Sequence, residues 1–576
     1  MKTTKRLLAC MLSLIMLVSL LAGCGTDTQP TEGSKATEAP TSADADEATD
    51  APTEAPTEEA FDARSITEGV KLTIAVQSNA KVEDFNTNAM TLQIEEKLGV
   101  DLEFMEIPSS DYSSKLNVMV MGGEKLPDII FNPGSYTQWI SEGALVELSD
   151  YYADPNFSAN IRAAEERAGR DIVSYLLRPE GTIYALPKLH EELYTAVKQK
   201  MWVYQPWLDA LNLEVPKTME EFYEACKLVC ANDMNGNGKK DEIGVSGRAV
   251  GWWFDPMMSS FVYAHEASWR TVENGKVGFA YTTDEWKEGL KYIKKFFDEG
   301  LIPKETLTQS GDQYQATLFA EECVAFSFSN WNYTGTDQQR RREYTVMPAL
   351  EGPNGVGYSC YMPVVTSAGA VITTDCENPD AAFLVMDYMC SVEMSIANRY
   401  GQQGVDWDYW EDAKAKNNYD ESQFVSTFEG YEISLYAYDM IGFWDNPNAQ
   451  NVSYRQAGPY ILDTTLTGGV GVWIGSDDPA AKESAELELI TASAALACYD
   501  YIPDEVFDYA PLTEDETEQT ADIGSALLGY VEEMTAAFLT GEKDIDAEWD
   551  NYLNELKKIG IEEYQAVLQT AYDRVH

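Results

Sequence analysis

Between residues 71 and 143 the chain alternates short apolar, β-branched runs with segments of helical period. Residues 71–76 read as a strand, followed by the polar Gln77, Ser78 and Asn79. A helix is expected over about 86–98, a second strand over 100–104, and another helix over 111–121. Residues 126–131 form a third, buried-type strand, and 136–143 begin a further helix. Strands alternating with helices predict an α/β fold, a parallel sheet with helices on both faces. Ligands of such sheets bind beyond the carboxyl ends of the strands, here at 77–79 and 132–136. The order does not repeat eight times, as a barrel would require.

The N-terminal segment carries Lys2, Lys5 and Arg6, then an apolar run from Leu7 to Leu21 that ends in Leu21-Ala22-Gly23-Cys24. This is the layout of a secretory signal peptide over 1–23. The tetrapeptide resembles the bacterial lipobox, in which cleavage precedes the cysteine and its thiol is lipidated. Cys24 would then hold the protein at the extracellular face of the cell membrane by acyl chains such as palmitate, with no spanning helix. No later segment approaches the length of a membrane span. Residues 24–66 are rich in Thr, Glu, Ala, Pro and Asp, with repeats such as TEAPT and almost no large apolar side chain. Such a stretch cannot bury enough surface to fold, and its prolines and charges keep it extended as a spacer.

Lys and Arg number 41 against 96 Asp and Glu, a net charge of −55. A surface this acidic repels nucleic acid and anionic lipid, and it disfavours an anionic ligand unless cations are focused in the site. Of nine cysteines, Cys10 leaves with the signal peptide and Cys24 is the anchor. Cys226, Cys230, Cys323, Cys360, Cys376, Cys390 and Cys498 are odd in number and scattered, so they form no disulfide framework and read as buried thiols. Cys226 and Cys230 share a helix face but have no partners for zinc. His190, His265 and His576, the only histidines, are poor material for a His-based triad.

The sharpest local motif runs from Asp233. Asp233, Asn235, Asn237 and Asp241 place side-chain oxygens at positions 1, 3, 5 and 9, Gly238 supplies the turn at 6, and Lys239 offers its carbonyl at 7. That is EF-hand spacing, suited to Ca2+. Position 12 is Gly244 and lacks the usual glutamate, so Glu242 is the substitute, and the ion's role is structural. A second signal is aromatic: Trp252, Trp253 and Phe254; Trp331 and Tyr333; Trp407, Tyr409 and Trp410. Sugar rings present apolar C–H faces and polar edges, so sugar sites combine flat aromatics with amides and carboxylates. Large aromatics also dominate cores. Trp286, Leu290, Ile293 and Phe297 make such a buried stripe, opposite Lys287, Lys291 and Lys294, and Ala382, Val385, Met386 and Met389 make another.

Residues 127–148 (PDIIFNPGSYTQWISEGALVEL), 181–187 (GTIYALP), 201–228, 377–407 and 549–572 together resemble bacterial extracellular solute-binding lipoproteins of ABC importers, of the maltodextrin-binding type with a calcium loop. The resemblance implies a two-lobe fold of class II, with hinge-crossing strands and a ligand cleft. Lobe one is then expected at 69–189 plus 363–404, and lobe two at 190–362 plus 405–576. It also implies that Trp331 stacks on sugar. The family's stacking tryptophan is replaced at Asn132, so lobe one is expected to hydrogen-bond through Gln77, Asn79, Asn132 and Ser135. Trp252, Trp253, Trp331, Tyr333, Trp407 and Tyr409 complete the expected site. The implied function is capture of an oligosaccharide and delivery to the importer's membrane subunits, without catalysis. Uronic-acid oligomers, held by Arg248, Arg270 and Arg399, are the main alternative, ahead of a peptide or another solute. A glycosidase would need two flanking carboxylates, a pair that 96 acidic residues make uninformative.

Overall fold

The alternation read from the sequence becomes two sheets in the computed structural model. The structure describes residues 61–576, apart from 192–195, 198, 248, 266–268, 321–323, 330–339, 341, 410–411, 413–414, 416–423, 427–447, 468–470, 474–489 and 491–492. The signal segment, Cys24 and the spacer to residue 60 therefore lie outside the described residues, as do Trp331, Tyr333 and Arg248.

The first lobe begins with β1 (Lys71–Gln77), β2 (Asp101–Ile107), β3 (Ile129–Phe131) and β4 (Ala185–His190). The chain then crosses to the second lobe through β5 (Lys200–Tyr204) and β6 (Ile243–Ser246). A hairpin of β7 (Arg270–Glu273) and β8 (Lys276–Phe279) follows, then β9 (Val324–Ser329) and β10 (Tyr344–Met347). It returns through β11 (Ser367–Ile372). Beyond it lie β12 (Phe424–Ser426), β13 (Tyr460–Leu462) and β14 (Gly471–Trp473), of which β12 and β14 pair with each other.

The first sheet has the order β13-β4-β11-β3-β1-β2 and the second β10-β5-β9-β6. Neither is wholly parallel, which corrects the parallel sheet expected for the first lobe. In the first sheet β11 runs antiparallel to both neighbours, β3 and β4. In the second, β5 runs antiparallel to β9 and β10. Each reversed strand is the first one reached after the chain changes lobe, so the reversal follows from the crossing itself. Two cores result. One gathers Ile74, Ile94, Phe131, Leu186, Val371 and Met386; the other gathers Phe222, Trp253, Trp286, Ile293, Phe326 and Val531.

The helices carry the caps their sequences specify. Asn88 accepts a hydrogen bond from Met90 N and opens the helix Ala89–Leu98, which ends at the left-handed Gly99. Thr218 and Glu221 form a capping box on Met219–Cys230, and Thr513 and Glu516 form another on Glu514–Leu539. The closing helices Ile545–Ile559 and Ile561–Asp573 lay Trp549, Tyr552 and Leu568 on the second core. Trp286 is fully buried, and so are Ala382, Val385, Met386 and Met389.

Two expected boundaries move. The spacer was expected to reach residue 66, yet Arg64–Thr67 is helical and Thr67 is fully buried. Phe61 packs on Phe157, with ring centroids 5.9 Å apart, and Arg64 donates to the Glu96 carbonyl at 3.0 Å. Residues 405–576 were all expected in lobe two, but β13 pairs parallel with β4, and Tyr454, Ala457 and Ile461 belong to the first core. A three-residue strand carries too little local signal to reveal which sheet it joins.

Candidate ligand-binding site

Beyond the carboxyl ends of β1 and β3 lies a polar hollow of about 420 Å³. The sequence-predicted Gln77, Asn79 and Asn132 line it together, with Ser78 and Ser109 beside them. The opposite wall is a segment that sequence reasoning missed, Tyr454, Arg455 and Gln456, and the floor holds Lys188 of β4. Ser135 is exposed and is not among the lining residues.

The wall is held by buried polar contacts. Gln450 Oε1 accepts from Val452 N and Ser453 N at 2.7 and 2.9 Å. Asn398, fully buried, accepts from Gln456 N at 2.9 Å and donates to the Ala457 carbonyl at 2.8 Å. The Tyr454 hydroxyl meets Thr91 at 2.6 Å, and its ring packs on Phe85 and Phe104. Gly458 makes the turn into β13: its φ is +77°, and a Cβ there would stand 2.7 Å from the Phe131 ring.

Three of the six non-glycine residues with positive φ among the described residues line this hollow: Asn132 at 45°, Arg455 at 51° and Gln456 at 71°. Such backbone costs about 1–3 kcal/mol per residue and persists where the surrounding structure over-determines it, commonly at ligand sites. Asn132 is fixed by its N–H donating to the Gly369 carbonyl at 2.7 Å. Lys188 Nζ donates to Asn132 Oδ1 at 3.0 Å and to the Gln456 carbonyl at 2.9 Å, and it lies 5.6 Å from the Tyr460 ring centroid. Burial pulls the Lys188 ammonium down to about 8. Burial, then the charge of Arg399, lowers Arg455 as well.

The aromatic expectations divide. Trp253 is fully buried in the second core against Phe254 and Phe297, which corrects its assignment to the site. Trp407 is corrected likewise: it is 1% exposed and donates its indole N–H to the Gly401 carbonyl at 2.8 Å. Tyr409 packs beside it, half-buried, with centroids 5.7 Å apart. Trp252 is half-buried on the helix Ala249–Met258. Arg270, expected near an anionic ligand, instead donates to the Tyr564 hydroxyl at 2.9 Å and covers the Phe507 ring.

The EF-hand-like loop connects the helix Met219–Cys230 to β6. Gly236 and Gly238 take φ of 72° and 83°. Asp233 accepts from Asn237 N and Gly238 N at 3.1 and 2.9 Å, and Asn237 Oδ1 accepts from Lys239 N at 2.8 Å. Asp241 accepts from the Asn237 side-chain amide at 3.0 Å and lies 3.9 Å from Lys239 Nζ. Glu242 is 6% exposed: its Oε1 accepts from Met234 N and Asn235 N, while its Oε2 is buried without a hydrogen-bond partner. Position 12 is glycine because it already lies in β6, where a Cβ on Gly244 would stand 3.0 Å from both Cys226 Cβ and the Leu301 carbonyl. No three His, Cys, Asp or Glu side chains converge as a metal cluster among the described residues. The loop relies on amide and main-chain oxygens, and the orphaned Glu242 oxygen fits a hard cation. The six cysteines among the described residues are free thiols, all buried except the half-buried Cys230.

Comparison with known proteins bears on this geometry. The family model described as bacterial extracellular solute-binding protein matches residues 79–396. The fructooligosaccharide ABC transporter substrate-binding protein FusA of Streptococcus pneumoniae is 25% identical over 519 residues, covering 85% of this chain and 88% of FusA. The structure of FusA with kestose superposes with a TM-score of 0.67 at 22% identity, over 88% of this chain and 99% of that one. A further FusA structure, with the same TM-score, identity and coverage, is described as an EF-hand mutant with fructo-nystose. Lipoprotein LipO of Bacillus subtilis is 24% identical over 55% of this chain and 63% of its own length.

Proposed function

Because the chain belongs to the bacterial extracellular solute-binding protein family, we propose that it captures an oligosaccharide between its lobes and delivers it to the membrane subunits of an ABC importer. The observation that carries this reading is the hollow beyond β1 and β3, where amides of Gln77, Asn79 and Asn132 and the hydroxyls of Ser78 and Ser109 converge. Such groups match the hydroxyl edges of sugars. The protein breaks no bond; binding favours a closed form that the importer recognises. FusA, named for fructooligosaccharides, supports the substrate class.

Two further parts of the reading concern how the protein is held. Cys24 carries the lipid anchor that keeps it at the extracellular face; LipO, named a lipoprotein, is consistent with this, and no helix among the described residues is long and apolar enough to cross a membrane. Asp233, Asn235, Asn237, Asp241 and Glu242, with the Lys239 carbonyl, hold a Ca2+ that fixes the loop entering β6. The Glu242 oxygen without a donor is the support for it.

Thermal unfolding of the full chain against fructooligosaccharides, other neutral oligosaccharides, uronic-acid oligomers and peptides tests the proposal. A ligand at about 100 times its Kd stabilises the folded state by about 2.7 kcal/mol. Stabilisation by one class of sugar supports the reading, and stabilisation by peptides alone overturns it. A chelator is expected to lower the midpoint. Substituting Cys24→Ser is expected to abolish labelling by a radioactive fatty acid.

A further inference from the structure

Among the described residues, Lys188 is the one lysine lining the hollow, and none of the lining residues is a carboxylate. The two acceptors its Nζ meets, Asn132 Oδ1 and the Gln456 carbonyl, are both neutral. It makes no ion pair among the described residues. Lys188 is half-buried, and a charge taken partly out of water is costly unless it is paired. The Tyr460 ring 5.6 Å away favours the cation without neutralising it. Two of the three ammonium donors are used, and one remains. Arg455 lines the same hollow, and Arg399 lies close enough for its charge to act on Arg455. Glu83, Asp84, Glu106, Asp111 and Glu191, acidic groups on the neighbouring segments, are not among the lining residues, and Glu191 pairs with Arg170.

We propose that the hollow selects an acidic oligosaccharide, with Lys188 donating to a sugar carboxylate and Arg455 adding positive field. The proposal rests on the reading of this hollow as an oligosaccharide site and goes beyond it by naming the charge of the sugar. The strain at Asn132 and Gln456 acquires a purpose on this view. Those two residues set the acceptors that aim the ammonium, and both hold left-handed backbone in doing so.

The test is a calorimetric titration of the full chain at pH 7 with a galacturonic-acid trimer, its methyl ester and a sulfated oligosaccharide. The ester keeps the sugar and removes the charge. A charge-assisted hydrogen bond predicts roughly tenfold or tighter binding of the acid over the ester. Lys188→Met should bring that ratio close to one, and Lys188→Arg should restore part of it. Thermal unfolding of both variants establishes that they are folded. Equal binding of acid and ester, or an acid-to-ester ratio unchanged in Lys188→Met, overturns the proposal while leaving the oligosaccharide reading intact. Binding of fructooligosaccharides without binding of either charged sugar has the same consequence. Failure of every sugar to bind overturns the underlying reading instead. Preference for the sulfated arm over the carboxylate assigns the site to sulfate esters and overturns the carboxylate form of the proposal.

Discussion

Lys188 is half-buried with its ammonium met by two neutral acceptors, and Glu242 is buried with one carboxylate oxygen that accepts no hydrogen bond. For Lys188 the consequence is a pH dependence of stability. Its folded-state value is pulled down to about 8 from 10.5, so below pH 8 both folded and unfolded states are protonated and the cost of burial is present in full. Between pH 8 and 10.5 the unfolded state binds the extra proton, and the penalty fades as pH rises. Lys188→Met is therefore expected to unfold at a higher midpoint than wild type at pH 7, with the gap narrowing by pH 9.5. A variant less stable than wild type at both pH values would contradict this account of the lysine. For Glu242 the expectation is linkage to calcium. Glu242→Gln should remove the stabilisation that added Ca2+ gives the wild-type chain, measured as the midpoint with and without a chelator. Retention of the full calcium shift would show that Glu242 is not among the ligands, and absence of any shift in the wild-type chain would leave the loop as a plain turn. The EF-hand spacing was legible because it is a local pattern of six residues. The burial of Glu242 was not, because it depends on the sheet behind the loop.

The strands that end at Gln77 and Phe131 were legible for the same reason, since short β-branched runs flanked by polar residues carry a local signal. The other wall of the hollow was not. Tyr460–Leu462 is three residues long, and its place beside β4 is fixed by pairing with Lys188, Leu189 and His190, contacts more than 260 positions distant in sequence. Reading residues 405–576 as one lobe hid Arg455 and Gln456. The same limit explains Trp253 and Trp407, because a flat aromatic ring looks alike in a sequence whether it faces sugar or a core. Trp407 satisfies its own N–H on the Gly401 carbonyl. The wall can be tested as an element through Gly458. Substituting Gly458→Ala combines positive φ with a contact on Phe131, and should cost about 1–3 kcal/mol. It should also weaken ligand binding, measured by titration of the variant under conditions where it remains folded. Unchanged binding would show that the 454–457 wall is not part of the site.

At the scale of the molecule, two sheets are each entered by one reversed strand, β5 in one and β11 in the other, as the chain crosses between lobes. This arrangement lets the lobes close on a ligand with little change inside either core. A bound oligosaccharide is therefore expected to reduce the radius of gyration measured by solution scattering. In this strongly acidic chain, Lys188 and Arg455 both line the hollow. Calorimetric titration of wild type and Gln77→Ala with the oligosaccharide that most raises the unfolding midpoint addresses the central claim. Gln77 is exposed at the end of β1, so its removal leaves the core intact, and loss of its hydrogen bonds should weaken binding by roughly two- to tenfold. Identical affinity of the two proteins would contradict the placement of the sugar in this hollow.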